Sequence, residues 1–341
     1  MLPSLRTIKR LGVIAGLVAG FGCAGANAQQ AVKLRVATIS PPGSFFSDKV
    51  LIPFLERVKA DSAGTFDYQV YPSGTLGRNP SEQIKIVADG IADISFSIPA
   101  YTPGQLDDYS VSELPGLART STEASLGIWN AYKAGLLGDI PGVKPLGVFA
   151  TAPNALHFAK PIASLADLNG QKIRAAGRVQ TELLEALGAT PVGNLRAPEV
   201  AEALSRGVIN GTLMDWLAIK DYRVERIAKA HIDTPVGMVA LMLPINAKVY
   251  DALPAAAKAA LDKHSGEALV RAAGLAFDRE NTALRETLRA EKGRQIVTPD
   301  DAAFSGLKPR FAQIVAAWRE ANPRRPAIMA AFEAGIASAK P

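Results

Sequence analysis

Hydrophobic and polar residues follow a repeating order of strand, turn and helix in the first part of the chain. Residues 33–38 alternate as a strand does, Pro41 and its neighbours form a turn, and 46–60 carry apolar residues at helical spacing. The same order returns in a strand at 66–71, a helix at 80–88 that Pro80 opens, and a short strand at 94–98. Strands that alternate with helices predict an α/β fold with a parallel sheet.

A second series of similar elements follows. The pattern predicts strands at 143–150 and 172–176, and helices at 180–187 and 198–206 that end at Gly188 and Gly207. Two further strands, at 231–236 and 239–246, are separated by Gly237 and Met238 alone. So short a connection between two α/β units predicts a crossover that acts as a hinge.

The last third of the chain is rich in alanine and has a helical pattern. Helices are predicted at 255–289, 304–320 and 327–339, with no strand of comparable strength between them. Three consecutive helices after two α/β units predict a cap that lies across both units.

The N-terminus has the pattern of a secretory signal peptide. Arg6, Lys9 and Arg10 precede an apolar stretch at 11–21, which is too short for a permanent membrane helix. Ala26-Asn27-Ala28 then offers small residues at the spacing that signal peptidase requires, so we expect cleavage after Ala28 and a periplasmic protein. Cys23 raises the alternative of a lipoprotein, although Gly20-Phe21-Gly22 does not match the usual lipidation pattern.

Composition and charge exclude several classes of protein. The chain is 48% hydrophobic and 21% charged, which is typical of a globular protein. Its formal charge of +6 includes three basic residues of the leader, and removing them leaves 35 basic against 32 acidic residues. That small excess does not indicate a nucleic-acid partner, but it favours an anionic ligand. The single cysteine lies in the leader, so no disulfide is expected in the mature chain.

The usual sequence motifs of enzymes are missing. The three histidines, His157, His231 and His264, are not within helical reach of one another, and a cysteine partner is lacking, so no metal site is expected. There is no dinucleotide-binding glycine motif, no phosphate-binding glycine-lysine loop and no nucleophile elbow. We therefore expect a binding protein that needs no cofactor, rather than an enzyme.

Arg174 is the strongest candidate for binding an anion. Lys172 and Arg174 share one face of a predicted strand, a pattern that by itself is also typical of a solvated sheet edge. Arg174, however, is the last charged residue before the next helix, at the carboxyl end of its strand, where open α/β sheets place their ligands. A guanidinium there can bind a carboxylate through two parallel hydrogen bonds.

Four segments in sequence resemble one known family. They are Tyr101-Thr102-Pro103-Gly104 with Glu113-Leu114-Pro115, then 165–174, 187–192 and 199–211. Each motif alone is weak, but their common order resembles the DctP-type periplasmic binding component of tripartite ATP-independent periplasmic (TRAP) transporters. Asn210 departs from the aspartate usual in that family, and either side chain supports a turn.

The resemblance implies a fold and a function. The fold would be a two-lobed α/β periplasmic binding protein, type II-like, with hinge strands and a long helix that spans both lobes. After the signal peptide at 1–28, lobe I would comprise 29–151 and 239–275, and lobe II 152–238 and 276–341. The protein would bind a small organic carboxylate through Arg174 and deliver it, as a monomer, to the TRAP permease subunits.

Other candidate ligand-binding residues follow from their position relative to the family motifs. Met214, Asp215 and Trp216 come after the glycine turn, with Trp216 expected in the cleft wall. Phe45 and Tyr101 would line the opposite lobe, and Asn154 and Asn194 are the remaining candidates. An ionised Asp215 would repel a carboxylate, so it would point away, pair with Arg174 or accept a hydrogen bond from the ligand.

Three alternative functions stay open at this stage. The chain would also suit the binding protein of an ABC-type uptake system or a periplasmic sensor that reports its ligand to a receptor. An enzyme with a catalytic cleft is the third alternative. The sequence does not identify the acid.

Overall fold

The computed structural model describes residues 31–339, with 301–304 described by their backbone alone. The strands are β1 (Val32–Ala37), β2 (Phe66–Tyr71), β3 (Ile94–Ser95), β4 (Val143–Ala150), β5 (Asn154–Phe158), β6 (Lys172–Arg174), β7 (Thr190–Val192), β8 (Gly211–Met214), β9 (Ala230–Val236), β10 (Ala240–Asn246) and β11 (Gln295–Val297). The α-helices are α1 (Ile52–Asp61), α2 (Gln83–Ala88), α3 (Ser121–Lys133), α4 (Arg178–Ala186), α5 (Val200–Ser205), α6 (Trp216–Asp221), α7 (Ala247–Asp251), α8 (Ala255–His264), α9 (Glu267–Ala290), α10 (Asp301–Glu320) and α11 (Arg325–Ala337). A π-helical segment, Phe46–Leu51, leads into α1, and one of several 3₁₀ segments is Asp107–Glu113.

The strands form two separate sheets. The first has the order β2-β1-β3-β10-β4 and the second the order β11-β9-β5-β8-β6-β7. In the first sheet β1 is parallel to β2 and β3, whereas β10 is antiparallel to β3 and β4. In the second sheet β5 is antiparallel to both of its neighbours. The prediction of an α/β fold is confirmed, but both sheets are mixed and not purely parallel. A parallel neighbour needs a helical crossover connection, and the strands that pass directly from one sheet to the other have none.

The chain crosses between the sheets at two adjacent places. Residues 151–153 lead from β4 to β5, and 237–239 lead back from β9 to β10. The crossings are hydrogen-bonded to each other, since Thr151 N donates to Val239 O over 2.9 Å and Asn154 N to Gly237 O over 3.1 Å. The short connection at Gly237 is therefore a crossover, as the sequence predicts.

The long helix α9 contacts both sheets. Near its start, Leu269 packs against Gly147 of β4, and near its end Arg289 donates to the Asp233 carboxylate of β9 over 3.1 Å. Its 24 residues span about 36 Å. Such a helix joins the two sheets along its length, in agreement with the spanning helix expected from the sequence.

The C-terminal region differs from the prediction of three helices and no strand. The helix predicted at 255–289 is broken at Ser265 and Gly266, where Gly266 has a φ of 62°, and the strand β11 lies between α9 and α10. Helix α11 packs tightly on α3, with Phe332 against Gly127 and Gly335 against the backbone of Leu126. This contact places α11 beside the first sheet, whereas the family resemblance implies that 276–341 belong to the second lobe.

Several elements were not predicted because their sequence patterns are weak. Strands β5, β7, β8 and β11 have three to five residues, too few for a clear alternation. Helix α3 is buried on nearly every face between α9, α11 and β4, so it lacks an amphipathic pattern.

No helix within residues 31–339 is both long and apolar enough to cross a membrane. The predicted signal peptide at 1–28 lies outside the described residues.

The close approach at the second crossover leads to a prediction about Gly237. Its φ is 54°, and a Cβ atom there would lie 2.1 Å from Glu113 O. Replacing it by alanine should therefore lower the free energy of unfolding by about 3 kcal/mol, the sum of left-handed strain and a backbone clash. Gly138→Ala is the matched control, because Gly138 has a φ of 77° with nothing within 4 Å. It should cost only about 1 kcal/mol. Equal losses in urea denaturation of the two variants would show that the contact is unimportant.

Candidate ligand-binding site

A cavity of about 70 Å³ lies where loops from the two sheets meet. At about 10–15 Å³ for each ordered water, it has room for about five waters, so its occupant is small. Its walls are mainly apolar and include four phenylalanines. Phe45 meets Phe277 edge to face with centroids 4.7 Å apart, and Phe46 stacks on Phe96 at 3.9 Å. A flat apolar body would be well matched to these rings.

Arg174 supplies the positive charge of the cavity wall. It ends β6 and is 2% exposed. Its Nε donates to Leu195 O over 2.9 Å and its Nη2 to the Tyr101 hydroxyl over 3.0 Å, which leaves Nη1 without a partner among residues 31–339. No carboxylate of the described chain lies within 4.0 Å of the guanidinium. A buried cation without a counter-ion creates strong demand for an anion.

The Tyr101 hydroxyl is oriented by two donors. It accepts hydrogen bonds from Arg174 Nη2 and from Ala197 N, each over 3.0 Å. Because a phenolic oxygen that accepts two bonds still has its own proton to donate, this hydroxyl is available to an anion beside Arg174. Tyr101 lies shortly after β3 of the first sheet, and Arg174 ends β6 of the second. The hydrogen bond between them therefore joins the two halves of the cavity.

Asn154 and Asp215 lie side by side at the ends of β5 and β8. Ala155 pairs with Met214, and continuing this antiparallel register places Asn154 next to Asp215. Asn154 N and Nδ2 both donate to Gly237 O, so its buried Oδ1 has no partner in the described structure. Met214, Asp215 and Asn154 all line the cavity.

Asp215 caps α6, because its Oδ1 accepts from Ala218 N over 3.0 Å. Burial raises the pKa of its carboxyl to about 7, although the backbone N–H groups act in the opposite direction. Asp215 forms no ion pair with Arg174. Of the three roles considered from the sequence, pairing with Arg174 is therefore wrong.

Asp221 is a second carboxyl of the cavity, which the sequence analysis missed. It lies at the end of α6, and its Oδ1 accepts from Phe45 N over 2.8 Å. Burial raises the pKa of the Asp221 carboxyl to about 6. Asp221 lies six residues after the cap residue Asp215, about 1.7 turns, so helical spacing does not place the two on one face and could not have indicated it.

Trp216 is not brought to the cavity. It is 1% exposed and packs behind the wall, 4.9 Å from the ring of His157 and 4.8 Å from that of His231. The expected place in the cleft wall is not the one observed, because the first turn of α6 directs this side chain toward β5 and β9.

His157 and His231 form a buried pair that their spacing in the sequence conceals. They face each other across β5 and β9, with 2.8 Å between their Nδ1 atoms. His157 Nε2 donates to Met214 O over 3.0 Å, so its Nδ1 accepts from His231, whose Nε2 accepts from Arg294 over 2.9 Å. Burial lowers the pKa of His157 to about 4, which keeps its imidazole neutral. The pair thus fixes the end of β8 beneath the cavity.

Asn194 lies outside the cavity, in a neighbouring cleft that Glu113 also lines. Asn194 has a φ of 60°, a backbone conformation that asparagine tolerates well. Glu113 is 3% exposed, and its Oε2 has no partner in the described residues. Burial raises the pKa of the Glu113 carboxyl to about 8, although the Arg174 charge acts in the opposite direction.

Within residues 31–339, no group of three or more histidine, cysteine or acidic side chains could hold a metal ion. The cavity combines one cation, hydroxyl groups that include those of Tyr101 and Tyr222, several acceptors and aromatic walls. These features are those of a site that binds a small anion by shape and hydrogen bonds.

Two mixed sheets with paired crossovers, a helix along both, and a cavity between them that holds a buried arginine define a two-lobed solute-binding protein. Residues 36–320 match the family model DctP, bacterial extracellular solute-binding protein family 7, and the chain belongs to this family.

Known proteins of the same class are similar over most of the chain. A TRAP solute-binding protein from a marine metagenome, specific for aromatic acids and bound to 3-hydroxybenzoate, is 28% identical with a TM-score of 0.86, covering 92% of this chain and 100% of that one. One from Rhodoferax ferrireducens with copurified benzoate is 26% identical with a TM-score of 0.85, covering 91% and 98%. The C4-dicarboxylate-binding periplasmic protein DctP of Rhodobacter capsulatus is 23% identical over 68% of this chain and 70% of its own length.

The raised pKa of Glu113 leads to a prediction about stability. The folded protein holds a proton on this carboxyl that the unfolded chain releases above about pH 4.5, so the cost to the fold grows as the pH rises from 4.5 to 8. Glu113→Gln removes that cost and should raise the free energy of unfolding at pH 7 by about 3 kcal/mol.

The gain should disappear below about pH 4, where both states of the wild-type protein are protonated. Glu333→Gln, at an exposed glutamate, is the control and should show no such pH dependence. Urea denaturation of the three proteins between pH 4 and 8 gives the comparison. A gain that is the same at every pH would contradict the buried neutral carboxyl.

Proposed function

We propose that this protein captures a small aromatic carboxylate in the periplasm and delivers it to the membrane permease of a TRAP transporter. The observation that carries the proposal is Arg174, a buried cation with a free Nη1 group and no ion-pair partner in the described chain, at the wall of an aromatic cavity. A carboxylate that binds there would receive charge-assisted hydrogen bonds from Arg174 and a further bond from the Tyr101 hydroxyl.

The ligands of similar proteins support an aromatic acid. The marine protein binds 3-hydroxybenzoate and the Rhodoferax protein carries benzoate. The Rhodobacter relative is named for C4-dicarboxylates. A second carboxylate would need a second cation, and Arg174 is the one cationic side chain that lines the described cavity. The other polar residues of the cavity, which include the acidic Asp215 and Asp221, do not suit a ligand with two negative charges.

The remaining parts of the proposal follow from the family. The protein binds its ligand without converting it and acts as a monomer. Lobe I comprises 29–151 and 239–275 and lobe II 152–238 and 276–341, although α11 packs on the first lobe. Closure of the lobes would bring Tyr101 onto Arg174, the contact seen here.

The proposal predicts the effect of changing Arg174. Arg174→Ala should weaken the binding of benzoate by about 3 kcal/mol or more, over a hundredfold, because a desolvated carboxylate loses its charged donors. Arg174→Lys retains the charge but not the planar pair of donors, so it should recover only part of the affinity. Titration calorimetry provides the measurement, with thermal melting to verify folding.

Lys172→Ala is the matched control, since Lys172 lies two residues earlier on the same strand but is exposed and outside the cavity. It should bind as the wild type does. Retention of near wild-type affinity by Arg174→Ala would rule out this site.

Export predicts a defined mature end. When the full chain is produced in a Gram-negative host, the periplasmic protein should begin at Gln29, as intact-mass measurement can show. Ala28→Phe should block processing, because a large ring does not fit the small-residue site of the peptidase. A mature chain that begins at an acylated Cys23 would contradict the prediction.

A further inference from the structure

The cavity holds more hydrogen-bond acceptors than a simple carboxylate can satisfy. Arg174 and Tyr101 provide donors for the anion, but Asn154 Oδ1 is buried and unpaired in the described structure. A carboxylate cannot satisfy it, because both groups only accept. An amide oxygen left unpaired in a closed site costs binding free energy, so the natural ligand should bring a donor of its own.

The orientation of the Asn154 amide follows from its neighbours. Gly237 O accepts from Asn154 N over 3.1 Å and from Nδ2 over 3.0 Å, and only the –NH₂ side of the amide can make the second bond. Oδ1 is thus the polar atom of this cavity-lining side chain that stays unpaired in the described structure. The Asp215 carboxyl lies beside it in the strand register, so two acceptors form one corner, the Asn154–Asp215 corner.

This corner is separated from the anion site. Arg174 of β6 pairs with Thr212 of β8, and Asp215 lies three residues further along. Three residues of a strand span about 10 Å. With their backbones this far apart, a ligand that reaches both Arg174 and Asp215 carries its donor away from its carboxylate, on the apolar body that suits the phenylalanine-lined cavity.

We infer that the ligand is an aromatic acid with a hydroxyl group meta or para to its carboxylate, and that Asn154 and Asp215 select it by accepting the hydroxyl proton. This inference rests on the proposed function and specifies its substrate class. A phenol keeps its proton at neutral pH, so it is a donor under the conditions of the periplasm. The high pKa of Asp215 fits a carboxyl that lacks such a donor in the empty site.

Benzoate and its hydroxylated forms test the inference. 3- or 4-hydroxybenzoate should bind the wild-type protein about tenfold to a hundredfold more tightly than benzoate in calorimetry. Salicylate is the matched control, because its hydroxyl already donates to its own carboxylate, and it should bind no better than benzoate. The 3- and 4-methoxybenzoates keep the oxygen without the proton and should also lose the gain.

Variants of the corner provide a second measurement. The readout is the ratio of the dissociation constants of benzoate and the better hydroxybenzoate on the same protein, so a general loss of affinity cancels. Asp215→Asn places an amide donor in the corner, and Asn154→Ala removes the unpaired acceptor. Each should lower the ratio at least about threefold, and Lys172→Ala should not change it.

The outcomes separate the two hypotheses. If benzoate binds as tightly as both hydroxybenzoates, or if neither variant changes the ratio, the selection of a hydroxyl is wrong while the proposed carboxylate site stands. If none of these acids binds, the proposed function and the inference fail together.

Discussion

The burial of Arg174 without a carboxylate partner is the constraint on which the site depends. Removing a guanidinium from water costs several kcal/mol unless other groups compensate. Here the partial compensation comes from one backbone carbonyl, Leu195 O, and one hydroxyl, that of Tyr101. The deficit is confined to the direction of the cavity. Part of the desolvation cost of the guanidinium thus stays uncompensated by the chain itself, which makes an anion the natural occupant of the cavity.

The residues around Arg174 come from both sheets. The strands that cross between the sheets bring them together. Tyr101 follows β3 of the first sheet and Arg174 ends β6 of the second. No cation pairs with the nearby Glu113 and Asp215 carboxyls in the described structure, and burial, which raises the pKa of both, reduces their negative charge near neutral pH. Their suppressed charge leaves Arg174 dominant in the cavity. Beneath it, the neutral pair of His157 and His231 supports the β8 end without adding a competing charge.

Sequence patterns predicted the parts of this molecule that local physics determines. Strand β4 was placed at its observed bounds, and the crossover at Gly237 was evident from two apolar strands with almost nothing between them. Arg174, Tyr101, Phe45, Asn154 and Asp215 do line one cavity. Long-range packing accounts for the differences. Helix α3 lacks polarity because it is enclosed, and Trp216 faces the interior because α6 turns it toward the histidines, which are 74 residues apart in the chain.

One carbonyl group has a mechanical consequence. Gly237 O, at the second crossover, accepts hydrogen bonds from both nitrogen atoms of Asn154, a residue that lines the cavity. The side chain that lines the cavity therefore also hydrogen-bonds the backbone where the chain crosses between the sheets. A displacement of this side chain by a ligand would be transmitted to Gly237 through a single amide plane about 2 Å across. A membrane partner could recognise a filled carrier by its outer contour alone, without ever touching the cargo.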